Sequence, residues 1–227
     1  MYYYYYSNYG LILLALFISL GAQAFISINY SRYKKIKNKK GITGAEVARE
    51  ILSKNGLDNV YVVETSGHLS DHYDPKRKTV RLSNDIYNGD TIAAIAVASH
   101  ECGHAIQDKD NYAFLRMRSA LVPLVNFSSY AGYLAVLIGI IFSYTNVIWI
   151  GIILECVILI FQIITLPVEF NASKRALEKI KEYGIVDNVE LRGAKKMLKS
   201  AAMTYVASVA TAVLQILRLI LIARDRD

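Results

Sequence analysis

Cysteine and proline are scarce in this chain, which has two cysteines and three prolines among 227 residues. Cys102 and Cys156 fall in different apolar stretches, so they do not indicate a disulfide framework, and this agrees with a reducing, cytoplasmic environment. The sequence has no internal repeat and no linker rich in proline, glycine and serine. Its length allows one domain or two small ones.

Lysine and arginine are missing from the first ten residues, MYYYYYSNYG, which precede a long apolar run. A signal peptide needs a basic front, so we expect this run to remain as a membrane span rather than to be cleaved. The tyrosines at 2–6 fit an aromatic anchor at the membrane–water interface.

Long apolar runs dominate the composition, which is 54% hydrophobic although 26 Lys and Arg stand against 19 Asp and Glu. The runs cover residues 10–28, 120–142, 147–168 and 201–223. About 20 helical residues cross the ~30 Å hydrocarbon core of a bilayer. The sequence therefore predicts a mainly α membrane protein with about four transmembrane helices, the fourth weakened by Gln215 and Arg218.

Six cations follow the first run directly, in SRYKKIKNKK. By the positive-inside rule the N-terminus is outside, Arg32–Lys40 is cytoplasmic, and the polar segments 30–119 and 169–200 face the cytoplasm. Four crossings would then leave the C-terminus outside. A basic run could also bind nucleic acid, but beside a spanning helix it favours a topology anchor that touches anionic lipid. We expect a lipid partner and no nucleic acid.

The first polar segment reads as a small α+β unit. Thr43 and Glu46 form a capping box for a helix that ends near Gly56. Residues 59–65 and 78–84 are rich in β-branched side chains and predict two strands, expected to pair antiparallel. A helix capped by Asp90 or Thr91 then extends to about Gln107.

The second polar segment predicts two further helices. The first is expected to carry Pro167 in its opening turn, with Gly184 just past its end. Asp187 and Glu190 form another capping box, which starts a helix that runs on into the fourth apolar run.

The stretch HECGHAIQ carries the chemistry of the chain. His100 and His104 are four residues apart and lie ~40° apart on one helix face, so both can reach one ion. Glu101 points ~100° away from His100, beside such an ion. This is the H-E-x-x-H pattern of zinc peptidases, in which the glutamate acts as general base on zinc-activated water. Gly103 would let another element approach closely.

A catalytic zinc site needs a third protein ligand and one open position. Glu169 is the best choice because it follows the third run directly, and two spans after His104 return the chain to the same side. His68 and His72 are further candidates. Glu155 is a rival acid, but it lies in the middle of the third run.

Four segments, HECGHAIQ, LSDHYDP, VRLS and LPVEFNAS, occur together in the order and spacing of a known family. The chain resembles the bacterial membrane zinc metallopeptidases of the YugP-like type. The resemblance implies a zincin-like core, one Zn²⁺ per chain and zinc-dependent metalloendopeptidase activity. Two positions differ from related patterns. Cys102 stands where such families often have a bulky aliphatic residue, and Ser173 stands where many related zinc peptidases have an aspartate. The second departure leaves open which group orients His100, with Asn171 the nearest substitute.

The sequence does not decide which of His72, Tyr73 and Arg175 donates a hydrogen bond to the oxyanion. The segment SDHYDP, which contains His72 and Tyr73, can also be a simple polar turn. We expect an extended peptide substrate near the membrane surface, paired with the strand TVRLSN. Two other classes remain: a membrane module that holds zinc without catalysis, and a transporter built around Glu155, Gln162, Gln215 and Arg218.

Overall fold

The structure is a computed structural model that describes the backbone of residues 2–67 and 69–225 and the side chains from Tyr9 onward. The tyrosine cluster at 2–6 and His68 therefore lie outside the side chains described. The elements are, in chain order, α1 (Tyr2–Tyr33), α2 (Gly44–Lys54), β1 (Tyr61–Thr65), β2 (His72–Asp74), β3 (Thr79–Ser83), α3 (Asn84–Tyr87), α4 (Ile92–Lys109), α5 (Ala113–Ile141), α6 (Thr145–Glu182) and α7 (Asn188–Arg224).

The chain forms two compact units. An apolar unit contains the apolar parts of α1, α5, α6 and α7, and these four helices are each long and apolar enough to cross a membrane. A polar unit contains Phe25–Arg116 and Pro167–Met203, with the sheet and the three shorter helices α2, α3 and α4. The mostly helical architecture with a small sheet agrees with the fold class expected from the sequence.

Three of the predicted helix starts, those of α2, α4 and α7, are confirmed. Thr43 Oγ1 accepts from the backbone N–H of Glu46, and the Glu46 carboxylate accepts from the N–H of Thr43, which completes the capping box of α2. Asp187 and Glu190 make the same exchange at the start of α7. Thr91, rather than Asp90, caps α4. These signals are local in sequence, so they hold whatever the rest of the chain does.

The expected antiparallel pairing of the two predicted strands is wrong. β1 and β3 are parallel, and the sheet order is β1-β3-β2. The connection between them contains β2, which forms an antiparallel hairpin with β3 through the turn 75–78. Because β2 occupies one edge of β3, β1 pairs with the other edge. The strand TVRLSN is thus central, with both sides paired at residues 79–81, and is not a free edge for substrate.

The expected helix start at Pro167 is also wrong. Pro167 lies inside α6, which runs unbroken from Thr145 to Glu182. Leu166, the preceding residue, has no side-chain oxygen that could cap a new helix, so nothing at this point ends the apolar helix. The third apolar run and the segment that carries Glu169 are therefore one helix. α7 is likewise continuous with the fourth run, as predicted.

The basic segment after α1 packs on the polar unit rather than lying free. Its lysines make three ion pairs of 2.5–2.7 Å: Lys34–Asp85, Lys37–Asp90 and Lys39–Asp187. Part of the positive charge predicted to face lipid is therefore neutralised within the protein. The segment serves to hold the polar unit together as well as to carry charge.

α4 and α6 cross in close backbone contact at Gly103, which confirms the predicted approach of another element. A Cβ atom built on Gly103 would lie 2.4 Å from the carbonyl oxygen of Ala172. Such a distance is far below van der Waals contact, so only glycine fits here.

Substitution of Gly103 by alanine is expected to destabilise the polar unit. Alanine is a better helix former than glycine by about 1 kcal/mol, but its methyl group would push against the Ala172 carbonyl, and such overpacking costs about 1–3 kcal/mol. We expect a lower Tm for Gly103→Ala in thermal unfolding of the detergent-solubilised protein. Gly21→Ala in α1 is the matched control, because no atom lies within 4 Å of a Cβ placed there. A Gly103→Ala protein as stable as this control would contradict the contact.

Candidate metal centre

Three side chains predicted as metal ligands meet in the polar unit. His100 and His104 project from one face of α4, and Glu169 projects from α6 towards them. Glu169 Oε2 lies 3.2 Å from His100 Nε2 and 3.6 Å from His104 Nε2. One ligand atom from each of the three residues lies within 4.8 Å of the others, so the group could hold a metal ion.

The spacing of this cluster fits zinc. Tetrahedral ligands at ~2.0–2.1 Å from zinc are separated by about 3.3 Å, which is close to the two separations from Glu169. Two imidazoles and one carboxylate are donors that zinc accepts. Glu169 and His104 are nearly inaccessible, at 3% and 8% exposure. A buried carboxylate between two imidazoles is costly unless a cation or protons compensate its charge.

A buried glutamine orients His104, and the sequence analysis missed it. Gln107 is completely buried, and its Nε2 donates to the carbonyl of Val168 at 2.8 Å and to Asn171 Oδ1 at 2.9 Å. Its Oε1 is thereby left as acceptor for His104 Nδ1, at 3.0 Å. With its proton on Nδ1, His104 presents the lone pair of Nε2 to the cluster.

Ser173, and not Asn171, contacts the other imidazole. Ser173 Oγ lies 3.1 Å from His100 Nδ1 and can accept its proton, one turn of α6 beyond Glu169. Asn171 instead accepts from Gln107 and from Nε of Arg175, and so acts on the His104 side. The expectation that Asn171 substitutes for an aspartate at His100 is therefore corrected.

The carboxylates of Glu169 and Glu101 both affect the pKa of His104. Burial lowers the pKa of His104, but its hydrogen bond to the Glu169 carboxylate and the nearby charge of Glu101 outweigh it, and the net pKa is raised. Glu101 itself is 8% exposed on α4. It follows His100 directly, and its effect on the pKa of His104 indicates that its charge lies near the cluster. The carboxylate is thus close to the cluster without belonging to it.

Cys102 does not take part in the cluster. Its side chain is completely buried against α2, where Sγ donates to the carbonyl of Ala48 at 3.6 Å. Burial, and secondarily the charge of Glu101, raises the pKa of the thiol far above its usual range. A protonated thiol on the opposite face cannot complete a four-ligand structural site.

The residues considered as oxyanion donors have other partners. Tyr73 OH donates to Asp108 at 2.8 Å, and Arg175 donates to Asn171 and Asp110. The His72 ring is exposed, with Nδ1 2.8 Å from the carbonyl of Ser70. Within the described part of the chain, none of them is recorded in hydrogen-bond contact with the three ligand atoms. Their role in catalysis stays a prediction.

The two aspartates of the segment SDHYDP accept hydrogen bonds from backbone N–H groups. Asp71 accepts from the backbone N–H of Ser83 at 2.7 Å, and Asp74 accepts from the N–H groups of Lys76 and Arg77. The contacts of Asp74 are those of a turn-forming aspartate, whereas Asp71 connects its segment to the last residue of β3. They place β2 next to β3, so the two aspartates have a structural role.

Polar residues within the apolar unit form no comparable cluster among the residues described. Arg218 Nη1 approaches Gln215 at 3.5 Å, and no ion pair joins Arg218 to Glu155. Glu155 is half-buried in the middle of α6, well along the helix from Glu169. The rival ligand Glu155 is therefore not part of the metal cluster, whose members are His100, His104 and Glu169.

Comparison with known proteins agrees with this geometry. A protein of Bacillus subtilis (strain 168) named "Putative membrane protease YugP" is 46% identical over 208 residues, which cover 92% of this chain and 92% of that protein. No solved structure matches the chain. The family model described as "Putative neutral zinc metallopeptidase" matches residues 8–224. The match spans nearly the whole chain, apolar runs included, and the chain therefore belongs to this zinc metallopeptidase family.

Proposed function

We propose that the protein is an integral-membrane zinc metalloendopeptidase that hydrolyses peptide bonds near the cytoplasmic membrane surface. The convergence of His100, His104 and Glu169, with Glu101 next to His100 on α4, carries the proposal. The names of its family and of its Bacillus relative, a zinc metallopeptidase and a membrane protease, support it.

We assign one zinc ion per chain to Nε2 of His100, Nε2 of His104 and a carboxylate oxygen of Glu169. Three protein ligands leave one position open, as catalytic zinc sites require. Zinc, when bound, polarises the scissile carbonyl and makes a water molecule more acidic. Gln107 and Ser173 hold the two imidazoles with their Nδ1 protons turned away from the ion.

Glu101 is assigned the proton transfers. Its carboxylate accepts the proton of the attacking water and then donates it to the departing amine, as one positioned group can do in turn. The Glu101 side chain is 8% exposed, so the surrounding residues shield it from most of the bulk solvent. His72, Tyr73 and Arg175 remain the proposed contacts to the developing oxyanion; Tyr73 and Arg175 would have to leave their present partners.

A peptide that pairs with the sheet would add to β2. Among the described residues β2 pairs only with β3, so its other edge is open, and Tyr73 in β2 already contacts the end of α4 through Asp108. Addition of an extended peptide to such an edge is a common mode of recognition. This replaces the strand TVRLSN as the proposed substrate-pairing strand.

The proposed site lies close in sequence to apolar segments. Glu169 follows the third apolar run directly, and about fifteen residues separate His104 from the second. At ~1.5 Å per helical residue, both ligands are tethered within a few turns of the ends of these runs. Membrane-proximal tails of other proteins would therefore reach the site at high effective concentration. The bilayer is thus a proposed partner, and peptides or membrane proteins are the proposed substrates.

The two alternatives differ from this proposal in testable ways. A module that only holds zinc would not need Glu101 beside the cluster. A transporter would need a polar pathway around Glu155 and Arg218, and the two are not paired in the residues described. Neither alternative is favoured by a specific contact.

Replacement of Glu101 by glutamine is expected to abolish proton transfer and leave the metal in place. Loss of a positioned general base lowers turnover about 10²–10⁴-fold. We expect this loss on a casein-like or membrane-tethered substrate, with one equivalent of zinc per chain retained. Glu50→Gln on α2 is the control, because Glu50 is partly exposed and, among the residues described, pairs with Lys54 alone. Unchanged turnover in Glu101→Gln would rule out the proposed mechanism.

Removal of the Gln107 side chain is expected to weaken zinc binding. Loss of a partner that orients a ligating histidine typically lowers metal affinity about 10–100-fold. Zinc affinity of Gln107→Ala, measured by competition with a chromophoric chelator, should fall in this range, and the His100→Ala, His104→Ala double variant should lose the metal. Ser99→Ala removes a buried hydroxyl that donates to the carbonyl of Ile95, and this variant should bind zinc normally. Equal affinities for the Gln107 and Ser99 variants would contradict the role of Gln107.

The proposed topology places the N-terminus outside, both polar segments in the cytoplasm and the C-terminus outside. α7 is the critical crossing, because its apolar part carries Arg218 and ends near Arg224. Single cysteines introduced at the C-terminus, after replacement of Cys102 and Cys156, should react with an impermeant thiol reagent added outside intact cells. A cysteine at Lys35 should not react. C-terminal labelling only after lysis would show that α7 does not cross.

A further inference from the structure

A groove of about 630 Å³ lies between α6 and α7 in the polar unit. This volume is within the range of ligand sites. Its floor is apolar and consists of Phe170, Leu177, Leu191, Leu198 and Ala202. Apart from Ser173, none of the residues that line the groove has a role in the function proposed above.

The rim of the groove is cationic. Lys174, Lys181, Lys195 and Lys199 line it, against one acid, Glu178. Glu178 lies 3.8 Å from Lys174 and offsets that charge. The other three lysines are exposed, and no ion pair is recorded for them in the part of the chain described. Three uncompensated positive charges thus surround an apolar floor.

The groove adjoins the metal centre. Ser173, which contacts His100 Nδ1, is itself part of the groove lining. On α6 the lining extends from Phe170 to Lys181, which at 1.5 Å per residue is about 16 Å. An extended peptide of about five residues covers this length at ~3.3 Å per residue. A peptide in the groove would therefore have its next residues close to the ligand cluster.

We propose that this groove binds a substrate segment that flanks the scissile bond and combines apolar side chains with aspartate or glutamate; the proposal rests on the peptidase function above. The floor buries the apolar side chains, and the lysines attract the carboxylates. Lysine ammonium groups on long flexible stems pair with carboxylates at varied positions, so the groove selects a class of segment and not one sequence. Anionic phospholipid shares this chemistry, but the junction with Ser173 favours the peptide.

The test is a binding measurement that needs no turnover. Three fluorescent peptides of equal length share leucines and differ only in having glutamate, glutamine or lysine between them. Their affinities are measured by anisotropy for full-length Glu101→Gln protein in phosphatidylcholine nanodiscs. We expect the order glutamate, glutamine, lysine, with a preference for glutamate that weakens as salt is raised.

Charge reversal locates the site. Lys195→Glu together with Lys199→Glu should weaken binding of the glutamate peptide about tenfold, since each exposed pair contributes little alone and reversal adds repulsion. Lys196→Glu is the matched control, because Lys196 is exposed on the same helix but does not line the groove. Zinc content should be unchanged in both proteins, which shows that the fold is intact.

Equal affinities for the three peptides, or equal losses in the two charge variants, would overturn the proposal. Displacement of the glutamate peptide by phosphatidylglycerol in the nanodiscs, lost in the double variant, would assign the groove to lipid and also overturn it. If the protein cleaves short uncharged peptides but binds none of the three peptides selectively, the peptidase function stands and the groove proposal fails. Selective binding without any cleavage by the unmodified protein would support the groove and count against the peptidase.

Discussion

The contact between α4 and α6 at Gly103 and Ala172 determines the geometry of the proposed centre. Two helices that meet backbone to backbone can place short side chains from both on one ion, whereas a larger residue at the crossing would separate them. On α4, His104 lies one residue after Gly103 and His100 lies about one turn before it. On α6, Glu169 lies about one turn before Ala172. The cluster depends on close packing of two helices before it depends on any polar contact.

The polar contacts then fix what the packing brings together. Gln107 connects His104 to the backbone and an amide of α6, so the same side chain joins the two helices and sets the orientation of the imidazole. Ser173 does the equivalent for His100 with one hydroxyl. Each ligand imidazole is thus held by the partner helix. Any displacement of α6 would therefore disturb all three ligands together.

The parts of this structure that were predictable from sequence are those encoded over short spacings. The pair His100 and His104 follows from the helical repeat, and the capping box at Thr43 from a three-residue spacing. Glu169 was predicted because it directly follows the third apolar run, and two expected spans would return the chain to the side of His104. The sheet direction was not predictable, since it depends on a three-residue strand too short to show alternation. Gln107 was missed because its bonding partners come from a distant helix, although its position one turn after His104 was a usable signal.

The continuity of α6 has a consequence for how this chain can vary. An inserted residue turns the part of a helix beyond it by ~100° and advances it by ~1.5 Å. One residue inserted between Glu169 and Ala172 would therefore turn the carboxylate away from the imidazoles if the contact of Ala172 with Gly103 stayed in place. The number of residues between Glu169 and Ala172 is thus as constrained as the four-residue spacing of His100 and His104 on α4.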